Sequence, residues 1–207
     1  VVVVRPGTTP ALALGLANVI LQNKLYDAEY VRRWTDLPLL VRMDTLQRLR
    51  ASEVFGGEPA ELKNATRVLA EGEKEPPPGL QSDMLVPEAL RREWGDSVWW
   101  DEEAGVPRAV TRDEVGEQST VGRALLEGSV NVTLADGSVV PCRPVFDLVR
   151  EYAAHFDPKT TEEITWAPAA AVEALARHLA QEPGTTLFAI GMGPNQFFNN
   201  DNKDRAI

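Results

Sequence analysis

Two stretches decide the fold: VVVVRPGTTPAL at residues 1–12 and LFAIGMGPNQFF at residues 187–198. Each begins with a short continuous apolar run, which predicts a strand buried on both faces of a parallel sheet. Each then enters a glycine-bearing loop, and Pro10 suits the first turn of the helix that follows the first loop. The sequence therefore predicts an α/β fold in which two buried strands each lead through a loop into a helix.

Both loops carry residue types that suit a phosphate-bearing or nucleotide-like ligand. In open α/β sheets, ligands bind at the carboxyl ends of strands and against helix N-termini. Glycine lets backbone N–H groups approach an anion closely, and threonine, asparagine and glutamine supply donors and acceptors for a heterocycle. Ordinary strand-to-helix turns without a ligand are the alternative, because the second loop lacks the full G-x-G-x-x-G pattern. The predicted binding residues are Gly7, Thr8, Thr9, Gly191, Met192, Gly193, Asn195 and Gln196.

The charge of the chain is concentrated in its middle. The 207 residues carry a net charge of -10, and residues 51–120 hold sixteen acidic against seven basic residues. The net negative charge argues against a nucleic-acid binder that works by neutralising phosphates. A solvated acidic face is the first interpretation of this region. A docking surface for a partner subunit is the alternative, because Trp94, Trp99 and Trp100 could belong to an interface.

Turn residues divide the chain into three segments. Residues 1–50 form the first strand-loop-helix flank, and residues 121–207 hold the second flank. Between them, residues 51–120 contain the run PPPG and scattered short apolar clusters, which predict a long irregular insertion because proline cannot continue a helix. In the last segment, alternating valines around Asp136 and Gly137 predict a β-hairpin, and three helices are predicted after it.

Few residues suit catalysis or metal binding. Cys142 is the only cysteine, which excludes an internal disulfide and a cysteine-bound zinc or iron–sulfur site within these residues. His155 and His178 are predicted to be structural or exposed, so no catalytic residue and no metal ligand is assigned. No apolar run approaches the ~18 residues that a membrane span needs. The absence of an initiator methionine indicates a section of a longer chain.

Several motifs resemble, in order and spacing, the catalytic subunit of the molybdopterin oxidoreductases of the dimethyl sulfoxide reductase family. They are RPGTTPAL at residues 5–12, LYDAEYVRRWTD at 25–36, LADGS at 134–138, VFDL at 145–148, EIT at 163–165 and GMGPNQ at 191–196. The stretch YVRRWTDLP at residues 30–38 is similar to the branch of nitrate reductase alpha subunits and nitrite oxidoreductases. The acidic residues 51–120 show no such resemblance.

The resemblance implies a cofactor and a place for it. The cofactor would be a pair of molybdopterin guanine dinucleotides holding one molybdenum, bound by the central part of a parallel-sheet cofactor-binding domain. Gly7, Thr8 and Thr9 would meet the guanine end of one dinucleotide, although Thr9 stands where the family has an aspartate, so its guanine contact is left open. Residues 191–196 would lie along a pterin or its pyrophosphate, with Gln196 closest. A second departure is Trp166, which stands at a family glycine.

The resemblance also implies an activity, oxygen-atom transfer on an oxyanion such as nitrate or nitrite. These residues alone are expected to be inactive, because the family's molybdenum ligand and iron–sulfur cluster precede this stretch. The implied partners are the rest of the catalytic subunit, an iron–sulfur electron-transfer subunit and a membrane-anchor subunit, in either the cytoplasm or the periplasm. The alternatives are a relative acting on selenate, chlorate, perchlorate or an organic substrate, and a non-catalytic acidic α/β binding module.

Overall fold

The computed structural model describes residues 1–59, 88–111 and 122–181. These residues combine helices with antiparallel strands, so the chain is a mixed α/β protein. They divide into two compact units. The first unit comprises Val1–Asp27 and Leu148–Ile207, and the second unit comprises Ala28–Asp147. The predicted strand at 187–190 and the predicted loop at 191–196 lie outside the described residues.

The elements follow one another with helices at both ends and strands between them. In chain order they are α1 (Thr9–Gln22), α2 (Ala28–Trp34), β1 (Leu40–Arg42), α3 (Ala51–Phe55), α4 (Glu88–Gly95), β2 (Ser97–Asp101), β3 (Val106–Val110), β4 (Val130–Thr133), β5 (Val139–Pro144), α5 (Val145–Ala153), α6 (Pro158–Thr165) and α7 (Ala169–Gln181).

The first unit packs α1 against α6 and α7. Leu16 and Val19 of α1 form a buried apolar cluster with Val172 and Ala176 of α7. Gly15 lets α1 approach α6 closely, because a Cβ at this position would lie 2.4 Å from the hydroxyl oxygen of Thr161. Asp157 caps α6 by accepting hydrogen bonds from two backbone N–H groups, as its sequence position before a proline predicts.

The buried strand predicted at residues 1–4 is wrong, because none of these residues belongs to a strand. Val1 and Val3 are exposed, while Val2 and Val4 pack on the cluster of the first unit. A strand of a parallel sheet is covered on both faces, whereas this segment is covered on one. All strand pairs among the described residues are antiparallel, so the predicted parallel sheet is not found in that part of the chain.

The second unit contains a three-stranded antiparallel sheet in the order β1-β5-β4. Strands β4 and β5 form the predicted hairpin, and Gly137 in its turn has a φ of +86°. Leu40, Val132 and Cys142 lie in the buried cluster of this sheet. Cys142 is buried, and burial raises the pKa of its thiol to about 11, which makes this thiol a poor nucleophile.

The described part of residues 51–120 is more regular than the sequence predicts. It forms α3, α4 and an antiparallel hairpin of β2 and β3, so the expectation of irregular structure is wrong there. Strand β2 is buried almost throughout and therefore lacks the alternation of apolar and polar residues that identifies a strand exposed on one face. The rest of this segment, residues 60–87 and 112–120, lies outside the described residues.

Candidate functional site

The loop at residues 5–9 leads into α1 and is fastened to the end of α6. The Arg5 N–H donates to the carbonyl oxygen of Thr165 at 2.8 Å. Within the loop, the backbone N–H and the hydroxyl of Thr8 both donate to the Arg5 carbonyl, at 3.2 Å and 2.6 Å. Gly7 has a φ of +81°, a conformation that favours glycine. The loop is therefore a hydrogen-bonded turn with a fixed position on the first unit.

The start of α1 is open toward solvent beside this loop. Thr8 holds the N-cap position, and its side chain makes no capping hydrogen bond. No acidic residue lies in the first turn. A Cβ at Gly7 would meet no heavy atom within 4 Å. Helix N-termini favour anions, so this arrangement can accept a phosphate or another anionic group.

Trp166 lies against the same loop, a contact that sequence reasoning did not predict. The guanidinium carbon of Arg5 lies 5.3 Å from the centroid of the Trp166 ring, which is cation–π distance. Trp166 ends α6 in the left-handed conformation with a φ of +66°, and its N–H donates to Glu162. The helix therefore keeps the turn that a glycine would favour. The sequence signal that could have indicated this contact is a bulky residue at a helix end, where glycine is usual.

The predicted site residues are divided between described and undescribed parts of the chain. Gly7, Thr8 and Thr9 are described and share one turn, as the sequence predicts. The other five lie outside the described residues, so a meeting of the two loops stays a prediction. These five are Gly191, Met192, Gly193, Asn195 and Gln196.

The second unit contains a cavity of about 260 Å³. Four guanidinium groups and two indole rings contribute to its wall, from Arg32, Arg33, Arg48, Arg123, Trp94 and Trp99. Arg32 is engaged within the unit, since it donates to the Ala124 carbonyl at 2.9 Å and to Glu29 at 3.0 Å. Arg123 forms an ion pair with Glu102. Two of the four guanidinium groups, those of Arg32 and Arg123, are therefore paired with carboxylates.

Asp101 beside this cavity is a structural carboxylate. It is only 1% exposed, although the first interpretation of residues 51–120 from the sequence is a solvated acidic face. Arg108 donates to it at 2.6 Å, and the backbone N–H groups of Glu103, Ala104 and Arg123 donate as well. Burial by itself would raise the pKa of Asp101, but these hydrogen bonds outweigh burial and hold the pKa below its ordinary value.

Neither a metal site nor a membrane span is identified in the described part of the chain. No group of three or more histidine, cysteine, aspartate or glutamate residues is placed to hold a metal ion among residues 1–59, 88–111 and 122–181. Over the same ranges, no helix has the length and apolar character needed to cross a membrane.

Comparison with known proteins identifies several relatives, all much longer than this chain. Dopamine dehydroxylase from Eggerthella lenta is 31% identical over 213 residues, which cover 83% of this chain and 21% of that protein. The perchlorate reductase alpha subunit of Dechloromonas aromatica is 30% identical and covers 98% of this chain and 21% of its own length. The respiratory nitrate reductase alpha subunit of Haloferax mediterranei is 30% identical, with coverages of 97% and 18%.

These similarities extend over most of the chain. The chain spans about a fifth of the length of the curated relatives it matches. No protein-family model matches the chain.

Proposed function

The chain belongs to the catalytic alpha subunits of the molybdopterin oxidoreductases, the dimethyl sulfoxide reductase family, and from this premise we propose that it serves oxygen-atom transfer on an oxyanion such as nitrate or nitrite. Its own task in that reaction is to bind and orient the pterin cofactor. The observation that carries the proposal is the similarity to perchlorate and nitrate reductase alpha subunits over 98% and 97% of the chain.

The proposed cofactor is a pair of molybdopterin guanine dinucleotides with one molybdenum. When bound, it supplies the metal centre at which the oxygen atom is transferred, and the protein supplies binding, orientation and electrostatics. Gly7, Thr8 and Thr9 would receive the guanine end of one dinucleotide. Gly191, Met192, Gly193, Asn195 and Gln196 would lie along a pterin or its pyrophosphate.

The described loop fits an anionic nucleotide end in three respects. Space is open beside Gly7, the first turn of α1 holds no acidic side chain, and Arg5 supplies a positive charge at the loop. The hydroxyl of Thr8 already donates to the Arg5 carbonyl, so its oxygen remains able to accept a hydrogen bond. Thr9 is exposed at the start of the helix, and its hydroxyl can both donate and accept a hydrogen bond.

The partners follow from the same proposal. The relatives are named alpha subunits, which supports an assembly with further subunits. We expect the remaining part of a catalytic subunit, an iron–sulfur electron-transfer subunit and an anchoring subunit in the membrane. The iron–sulfur cluster and the molybdenum ligand would be supplied by residues outside this sequence.

Two alternatives have their own support. The perchlorate reductase relative favours a chlorine oxyanion, with selenate as a chemically similar substrate, and the dopamine dehydroxylase relative favours an organic substrate. A non-catalytic acidic α/β binding module is the alternative outside enzymology. The net charge of -10 supports it only weakly, because some of the acidic residues, such as Asp101 and Asp147, are buried in ion pairs of the second unit.

A cofactor assay tests the proposal. The protein is expressed with all the sequence that its gene encodes, matured in a host that makes molybdenum cofactor, and analysed for molybdenum and for guanine nucleotide released by acid. Both are expected together. Turnover of nitrate, nitrite, perchlorate, selenate and a catechol under a reduced dye then ranks the substrates. Matured protein that contains neither molybdenum nor guanine nucleotide would leave only the non-catalytic alternative.

A further inference from the structure

We infer that Trp166, with Arg5 stacked on it, is a platform that holds the nucleobase end of the cofactor by stacking. This inference rests on the proposed function and adds two residues to the loop at 5–9. The ligand that this platform would bind is a planar heterocycle that carries a phosphate. Trp166 and Arg5 are then positioning residues for the cofactor.

The backbone of Trp166 is the first observation. It holds a φ of +66° and a ψ of 4°, the left-handed conformation that disfavours a residue with a Cβ. Glycine would end the helix here without that strain. Strained conformations at bulky residues concentrate at ligand sites, where the side chain serves a purpose beyond the turn.

The exposure of Trp166 is the second observation. The residue is 67% exposed, so its ring is not buried in the core of the first unit. Packing therefore does not account for a large aromatic group at this position, because burial of apolar surface is the usual reason for keeping one. The indole keeps a surface on which a further planar group can stack.

The position of Trp166 is the third observation. The hydrogen bond of 2.8 Å from the Arg5 N–H to the Thr165 carbonyl joins the residue before Trp166 to the first residue of the loop. The guanidinium of Arg5 lies 5.3 Å from the ring centroid. None of the ion pairs among the described residues involves Arg5, so its charge is available to a phosphate. The indole ring of Trp166, the guanidinium of Arg5 and the open loop at residues 5–9 therefore lie next to one another.

This chemistry predicts a binding preference. Stacking on an aromatic ring accepts any base, because every base has a π face. Thr9 adds a hydroxyl without charge and does not select a base strongly. GMP and AMP are therefore expected to bind with similar affinity, and guanosine without its phosphate more weakly.

Four variants of the 207-residue chain separate this role from a structural one. Trp166→Gly removes the ring and relieves the backbone, whereas Trp166→Phe keeps an aromatic ring in the same conformation. Arg5→Gln removes the cation but keeps the backbone N–H. Trp34→Leu is the matched control, because Trp34 is also an exposed tryptophan and belongs to the second unit.

The measurement is a calorimetric and NMR titration of each variant with GMP, AMP and guanosine. In the native chain, GMP is expected to shift the Trp166 indole N–H signal, which is assigned by its loss in Trp166→Gly. We expect Trp166→Gly to weaken GMP binding about tenfold while its midpoint of thermal unfolding stays equal or rises. Trp166→Phe should recover most of the affinity. Arg5→Gln should weaken GMP more than guanosine, and Trp34→Leu should match the native chain.

Equal GMP affinity in native chain and Trp166→Gly overturns the platform and leaves the proposed function intact. A loss of affinity accompanied by a lower unfolding midpoint in Trp166→Gly, without recovery in Trp166→Phe, also overturns it, because the ring then only supports the fold. Absence of any GMP or AMP binding to the native chain at millimolar concentration overturns it too. The molybdenum and guanine content of matured protein decides the proposed function separately.

Discussion

The two units differ in how they treat charge. The described part of the second unit buries three carboxylates, those of Asp96, Asp101 and Asp147, and each accepts hydrogen bonds from nearby donors. In the described part of the first unit, the buried polar groups are uncharged: Asn18, Thr161 and Thr165.

In the second unit the buried carboxylates stabilise the fold, whereas in the first unit an exposed charge is available to a ligand. The carboxylates of the second unit are held in internal hydrogen bonds. Asp147 accepts a hydrogen bond from Arg143 at 2.8 Å, and Asp96 accepts hydrogen bonds from Ser52. In the first unit, the charge at the candidate site is the exposed Arg5 on the exposed ring of Trp166. The acidic middle of the chain is therefore partly an internal network rather than wholly a solvated face.

The largest expected effect is the loss of a buried carboxylate in the second unit. Asp101→Ala leaves the Arg108 guanidinium and three backbone N–H groups without their acceptor, and should lower the free energy of unfolding by about 3–5 kcal/mol. Urea unfolding at neutral pH measures this loss of stability. Glu58→Ala removes an exposed carboxylate of the same unit and is the control, and its effect should be well under ~1 kcal/mol. A loss for Asp101→Ala no larger than that of the control would contradict a structural role for Asp101.

A second test uses pH. The pKa of Asp101 is lower in the folded protein than the ~3.9 of an unfolded chain. Its stabilisation is therefore complete above about pH 4 and is lost as the pH falls through the folded pKa. The stability difference between the native chain and Asp101→Asn should shrink as the pH is lowered from 7 to 3.

Tryptophan fluorescence can follow this change in one unit. A Trp166→Phe background leaves its tryptophans at Trp34, Trp94, Trp99 and Trp100, all in the second unit. Urea unfolding in this background at several pH values gives the stability difference. If the stability difference between the native side chain and Asp101→Asn stays constant from pH 7 to pH 3, ionised Asp101 does not stabilise the fold.

A smaller effect is expected from the helix packing of the first unit. Gly15→Ala places a Cβ 2.4 Å from the Thr161 hydroxyl oxygen, so α1 and α6 must separate. Overpacking of this kind costs about 1–3 kcal/mol. The double variant Gly15→Ala with Thr161→Ala removes the clashing side chain and should lose less than the two single changes together. Additive losses in thermal unfolding would show that the helices do not meet at this point.

Local sequence signals predicted the starts of two helices and the turn of one hairpin. Pro10 and Asp157-Pro158 mark the starts of α1 and α6, and Asp136-Gly137 sits in the turn between β4 and β5. These signals work because they act on backbone conformation within a few residues. The family resemblance was likewise carried by short ordered motifs, and the relatives confirm it.

Signals that depend on distant residues were missed or misjudged. In α5, helical spacing puts Val145, Leu148, Val149 and Tyr152 on one apolar face. That face is only partly covered, since Val149 and Tyr152 are exposed while the neighbouring Phe146 is buried. A helix pattern shows which residues share a face but not which neighbour covers that face.

The sequence by itself determined the starts of α1 and α6, the hairpin turn, the family and the loop at residues 5–9 as a candidate site. Those properties depend on local backbone preferences and on short motifs. Only the tertiary structure decided that residues 1–4 are not a strand, that Asp101 is buried, and that Arg5 stacks on Trp166. Each of these depends on partners remote in the chain, whose approach is set by the packing of whole elements.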